Sequence, residues 1–255
     1  MVDFGYSFEG MPKLQVTNDV EYEFYCFILL EKRETGSVLD LLMKANNQGR
    51  TLSTRTQQFL CASTFKAVSW MHKTTGKAHL DIKADNIMFD DHLRPMIIDM
   101  GSASDLSTKT QRWSTTINYA PPEVLPYFNN TSLAHLIVPY KNEPVDVFNM
   151  ALLWYVITNQ RFPFSLTSSQ PYWRQCKYYT QLMINYKSGI TKFFQRDGTN
   201  PVLNSLHHQI WACINPNADC RPNMAQLEKL GWIQAAPEFP TADIVAEITE
   251  IMSAQ

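Results

Sequence analysis

Asp81, Lys83, Asn86 and Asp99 are the residues whose types and spacing could do chemistry together. They lie in His79-Leu-Asp81-Ile-Lys83-Ala-Asp-Asn86 and in Ile98-Asp99-Met-Gly101, with five positions from Asp81 to Asn86 and thirteen from Asn86 to Asp99. Two carboxylates and a carboxamide converging from a loop and the strand after it make an all-oxygen site, which suits Mg²⁺. Lys83 puts a cation where charge would develop on a phosphoryl group. A carboxylate for a hydroxyl proton, oxygen ligands for a metal and a cation at the transferring group are what phosphoryl transfer requires.

These residues need a scaffold, and the pattern around them supplies one. Tyr22–Glu31 is aromatic and aliphatic and reads as a buried strand, ended by Gly36. Ser37-Val-Leu-Asp40 has the form of a capping box opening a short helix to Lys44, and Thr54-x-x-Gln57 opens a second. After it Phe59, Ala62, Phe65, Val68 and Met71 recur at helical spacing, predicting a helix to Lys73. Asn86–Phe89, Asp90-Asp91 and Met96–Ile98 read as a hairpin, and residues 103–118 as a long loop. Helices are predicted over 145–157, 178–186, 205–214, 224–230 and 242–252, the last with Ile244, Ile248 and Ile251 on one face. The fold class is α+β: a mainly helical body with a short β element at its front.

Composition narrows the setting. The 255 residues are 45% hydrophobic and 18% charged with a net charge of −2, against disorder and against a partner chosen by bulk positive charge. The longest apolar run, Met150–Ile157, is too short to cross a bilayer, and the amino terminus has no basic-then-apolar leader. The five scattered cysteines have no paired spacing for a zinc site or disulfide framework, which predicts buried or free thiols in an intracellular, cytoplasmic setting. His72, His92, His135, His207 and His208 show no carboxylate or metal spacing and read as packing or surface residues. Trp154, Trp173 and Trp211 read as core.

The two chemistry-bearing stretches resemble the protein-kinase catalytic loop H-R-D-L-x-x-x-N and the metal-binding D-F-G, with Leu80 for the Arg and Met100 for the Phe. Enzymes of the aminoglycoside and choline kinase type share a similar pair, so later motifs discriminate. Thr116-x-x-Tyr119-x-Pro-Pro122-Glu123 resembles the end of a protein-kinase activation segment, Asp146–Ala151 the opening of the central helix, and Arg221-Pro222 the late arginine that pairs with that glutamate. Together they identify the chain as a member of the protein kinases, of serine/threonine type, and argue against a small-molecule phosphotransferase. The resemblance implies a kinase-like fold: residues 1–31 a small-lobe remnant and start of the hinge, 32–235 the hinge and helical large lobe, and 236–255 a helical tail. It implies Asp81 as acceptor of the substrate hydroxyl proton, Lys83 at the γ-phosphate, Asn86 and Asp99 as Mg²⁺ ligands, and Thr116 as a further catalytic position. Glu31 and Arg33, after a gatekeeper Leu30, would meet the adenine of ATP. His79 would be architectural, Gly101 would let the chain turn, and Glu123–Arg221 would be a buried ion pair.

The chain also departs from the family. It has no G-x-G-x-x-G, and Lys13 and Lys32 are wrongly placed for the phosphate-binding lysine of V-A-I-K. The expectation is a truncated form of a kinase active in its intact or ancestral state, because looseness of about 1 Å in positioning can cost about 100-fold in rate. Leu80 cannot pair with a phosphate, so activity is not expected to depend strongly on loop phosphorylation at Ser107, Thr108, Thr110, Ser114 or Thr115. The stretch 126–142 reads as an insert, either a solvated loop or a docking surface. Two functions follow: transfer of the ATP γ-phosphate to a protein Ser/Thr hydroxyl, or a weak or inactive kinase-like module that binds a regulatory protein partner. Neither nucleic acid nor membrane is expected as a partner.

Overall fold

Short caps and apolar stripes set the helices. A computed structural model describes residues 3–6, 14–17, 20–22, 26–29, 33–112, 114–125, 138–163 and 201–254. They fall into two compact units, Met1–Glu34 and Thr35–Gln255. The first contains two antiparallel pairs. Strand β1 (Asp3–Tyr6) pairs with β4 (Cys26–Leu29), register Asp3↔Leu29, and β2 (Leu14–Thr17) pairs with β3 (Val20–Tyr22) across an irregularity at Gln15–Thr17. Of the strand expected over 22–31, Tyr22 lies in β3 and Cys26–Leu29 form β4, and the remaining positions lie outside the described residues.

The second unit begins where the sequence placed a capping box. Ser37 Oγ accepts from Asp40 N (3.1 Å) and Asp40 Oδ2 accepts from Ser37 N (2.7 Å), starting α1 (Val38–Asn47). Val38, Leu41, Leu42 and Ala45 form its buried stripe. Helix α2 (Thr54–Thr75) starts one residue earlier than its sequence pattern suggested: Ser53, not Thr54, is the cap, accepting from Thr56 N at 3.2 Å. Gly76, at φ +67°, ends it in the left-handed conformation that a helix C-terminus favours. The expected stripe Phe59, Ala62, Phe65, Val68 and Met71 is buried.

After α2, β5 (Lys77–Ala78) leads into the loop 79–86, and β6 (Ile87–Phe89) and β7 (Pro95–Ile97) form the expected hairpin, register Ile87↔Ile97. The stretch expected to be loop carries local order. Strand β8 (Ser104–Asp105) pairs with β5, and β9 (Lys109–Thr110) pairs with β10 (Tyr140–Lys141), antiparallel in both cases. Two-residue strands have no periodicity to read; their partners lie elsewhere in the chain.

Helix α3 (Asn142–Asn159) is buried on every side from Val145 to Ile157 and packs against α2. It also packs against α4 (Pro201–Cys213). Trp154 meets Trp232 edge to face at 5.2 Å, so Trp154 is core as expected, and Trp211 is buried too. Short helices α5 (Met224–Leu227) and α6 (Gly231–Gln234) precede α7 (Ala242–Ser253). In α7, Ile244, Ile248 and Ile251 are buried and the helix packs along α1. Glu247 of α7 accepts from Ser53 N and Oγ and from Thr56 Oγ1, and Arg50 pairs with Glu250 at 2.7 Å. Cys61 and Cys213 are buried free thiols, that of Cys213 pushed up to about 12 by desolvation. The helix expected over 178–186, Trp173, His135 and most of the 126–142 insert lie outside the described residues. At the end of that insert, Tyr140 is buried, so it is not solvated loop there.

Candidate active site

A buried carboxylate organises the loop that carries Asp81. Asp146, on the first turns of α3, accepts the backbone N–H groups of His79 and Leu80, both at 2.7 Å. His72 Nε2 donates to the same carboxylate at 2.7 Å from α2. His72 is a buried packing residue, within its sequence reading; its carboxylate partner Asp146 lies 74 positions away, and only the packing of α2 on α3 joins them. Leu80 is held at φ +66°, a conformation non-glycine residues rarely adopt and one that persists only where surroundings enforce it. Here the two N–H bonds to Asp146 and the burial of the leucine enforce it.

His79 is architectural, as its motif implied. Its ring is buried; Nδ1 accepts from Asp81 N at 3.2 Å, which makes Nε2 the protonated nitrogen, and Nε2 donates to Ile98 O at 3.0 Å. One imidazole thus ties the Asp81 loop to the residue before Asp99.

Asp81, Lys83, Asn86 and Thr116 form one network. Asp81 Oδ1 accepts from Thr116 N at 2.7 Å and from Thr115 Oγ1 at 3.4 Å. Lys83 Nζ lies 3.0 Å from Asp81 Oδ2 and donates to Thr116 Oγ1 at 2.9 Å. Asn86 Nδ2 donates to Asp81 O at 2.9 Å and approaches Asp81 Oδ2 at 3.4 Å. With its nitrogen engaged there, the carboxamide oxygen is the atom of Asn86 left to meet a cation.

Asp99 follows β7, which the Ile98 N to Asn86 O bond (3.0 Å) aligns with the Asn86 turn. It is exposed, at φ +64°, and Oδ1 accepts from Gly101 N at 3.2 Å. The chain does turn through Gly101, in a single tight turn over Met100–Ser102 closed by Ala103 N to Met100 O at 3.0 Å. The left-handed residue is Asp99 itself, and a Cβ at Gly101 would stand 3.1 Å from Asp99 Oδ1. The glycine leaves room for the carboxylate.

The segment from Ser104 to Leu125 is fastened at several points. Asn142 Nδ2 donates to Asp105 O (2.8 Å) and Thr108 O (3.3 Å), and Arg112 Nη2 to Ser102 O at 3.0 Å. Tyr119, whose hydroxyl accepts from Ala84 N at 3.3 Å, is buried, and desolvation holds its phenol protonated well above the usual range. The expected ion pair is present: Arg221 meets Glu123 through both guanidinium nitrogens (2.5 and 2.8 Å), donates to Asn215 O and Pro144 O, and lies over the Phe148 ring. Of the five Ser/Thr residues weighed as modification sites, Ser107 and Thr108 are exposed, and Thr110, Ser114 and Thr115 are buried.

Glu31 lies outside the described residues, and Arg33 belongs to the first unit. The site contacts of Thr115, Tyr140, His72 and Asp146 join residues far apart in the chain. Asp146 alone had a signal, as the polar residue opening an otherwise apolar helix. Among the described residues no cluster of His, Cys, Asp and Glu side chains forms a ready metal cage, and no helix is long and apolar enough to cross a membrane.

The protein kinase domain model matches residues 14–233. The chain belongs to that family, and its fold is the kinase-like α+β fold. A probable receptor-like protein kinase of Arabidopsis thaliana is 23% identical over 255 residues, covering 94% of this chain and 50% of that protein. The Schizosaccharomyces pombe serine/threonine-protein kinase ppk8 is 35% identical over 108 residues, 39% of this chain and 18% of its own. Serine/threonine-protein kinase 4 homolog B of Dictyostelium discoideum is 31% identical over 103 residues, 39% of this chain and 9% of its own. The chain spans half the length, or less, of these relatives. Its likeness is to serine/threonine protein kinases.

Proposed function

We propose that the chain transfers the γ-phosphate of ATP to a serine or threonine hydroxyl of a protein, inside the cell. The observation that carries the reading is the Asp81–Lys83–Thr116 network: the Lys83 ammonium reaches both the Asp81 carboxylate and the Thr116 hydroxyl, and the carboxylate accepts from Thr116 N. Asp81 orients the acceptor hydroxyl and takes its proton. Thr116 N, holding Oδ1, keeps the carboxylate aimed, and Lys83 lies against charge developing on the transferred group. The donor set also fits Mg²⁺: Asn86 keeps a carboxamide oxygen available and Asp99 an exposed carboxylate, hard oxygen ligands that leave room for phosphate and water. Bound Mg²⁺ would neutralise the polyphosphate; these two residues would hold it. Glu31 and Arg33 would meet the adenine, in residues 1–31 as small-lobe remnant and 32–235 as hinge and large lobe, with 236–255 as a tail.

A second reading, a kinase-like module that binds a regulatory protein and turns over slowly, draws on the absence of G-x-G-x-x-G from the chain. One experiment separates them. The protein is incubated with Mg·ATP and dephosphorylated casein, and the product is hydrolysed and analysed for phosphoamino acids. Phosphoserine or phosphothreonine formation supports the kinase; no transfer, with or without a thermal shift by Mg·ATP, overturns it.

A further inference from the structure

We propose that Tyr140 is a positioning residue for the Asp81 site, its hydroxyl acting as a latch that sets the Thr115–Thr116 turn on the carboxylate without any phosphate. The reading rests on the kinase function proposed above. Pairing of β10 with β9 puts Tyr140 opposite Thr110, and from there the hydroxyl reaches two points further along the same segment. It donates to Arg112 O at 2.7 Å and lies 2.7 Å from Ser114 Oγ. A phenol has one proton; a carbonyl can only accept. The Tyr140 proton is therefore committed to Arg112, and Ser114 must donate to Tyr140. The next two residues complete the path. Thr115 Oγ1 is shared between Asp81 Oδ1 and Asn149 Oδ1, both at 3.4 Å, and Thr116 N donates to Asp81 Oδ1 at 2.7 Å.

The anchor itself does not depend on the hydroxyl. Tyr140 is 4% exposed in a small apolar cluster with Ala78, Leu80, Val124 and Val145, edged by Leu106. Leu80 thus contributes a wall of this cluster where the family motif has an arginine. Ring and hydroxyl divide the work: the ring is fixed by apolar burial, and the hydroxyl fixes the segment. Ser114 is consumed by the latch and buried, so it is not open to modification.

Tyr140→Phe keeps the ring and removes the latch. Hydrogen exchange of the unliganded protein is read first: amides of residues 110–118 should exchange about tenfold faster or more, while those of α2 and α3 stay unchanged, since a buried and a part-buried hydrogen bond are lost. In casein phosphorylation kcat should fall about tenfold with the KM for ATP unchanged, as expected when only the carboxylate's positioning suffers. Ser114→Ala should act in the same direction, and the double variant should be no worse than Tyr140→Phe alone. Unchanged exchange over 110–118 in Tyr140→Phe overturns the latch, whether or not the wild-type protein transfers phosphate. A wild-type protein that transfers none overturns the kinase reading instead, with the exchange result still deciding the latch.

Discussion

His72 and Asp146 stand 2.7 Å apart, with side chains 6% and 0% exposed, at the buried meeting of α2 and α3. The Asp146 carboxylate also holds the N–H groups of His79 and Leu80, so the conformation of the Asp81 loop is set by a fully buried residue. Asp146→Asn replaces one acceptor oxygen by a donor facing donors. Urea denaturation should show a loss of about 3 kcal/mol, the order expected for a buried charged acceptor removed from its partners. An unshifted midpoint would contradict the assignment.

Arg221 is held by Glu123, two carbonyls and the face of Phe148. Arg221→Ala leaves the Glu123 carboxylate unpaired and should cost about 3 kcal/mol. Arg221→Lys should recover only part of this, because an ammonium cannot make the two-pronged contact. Thermal denaturation of both variants checks it; full recovery by lysine would show that the fork geometry is immaterial.

Leu80 fills an apolar cluster rather than offering a cation to a phosphate. Phosphoryl transfer should therefore proceed at equal rates before and after phosphatase treatment, measured with casein. Leu80→Arg should not create phosphate dependence but unfold the protein, since it buries an unpaired charge. A large loss of activity on dephosphorylation would refute the inference.

Glu247 fastens α7 to the start of α2. Desolvation raises its pKa, but hydrogen bonds from the Ser53 and Thr56 hydroxyls and the Ser53 N–H outweigh it, so the net displacement is downward from 4.5. A depressed folded-state pKa means stability present above the unfolded value and lost as pH falls through the folded one. Below about pH 4.5 the wild-type melting temperature should fall more steeply than that of Glu247→Gln, followed by calorimetry from pH 6 to 3. Parallel curves would mean that the contact does not hold the tail.

The sequence showed what is local. The Ser37–Asp40 cap, the α2 stripe, the Ile stripe of α7 and the 81–86 turn each depend on residues within a few positions of one another. Glu123–Arg221 was legible across 98 positions only through the family motif. Illegible were contacts that need the packed fold: His72 with Asp146, and strands β8 and β9, whose two residues are too few for a pattern. The left-handed backbone at Leu80 and Asp99 was equally hidden, because neither residue type announces it.

The most direct test of the central claim is the turnover of Asp81→Asn. The variant keeps the size of the side chain and removes its capacity to take a proton. With Mg·ATP and casein it should lose about 100-fold or more in kcat while retaining the Mg·ATP thermal shift of the wild type. Equal turnover by wild type and Asp81→Asn would contradict the account.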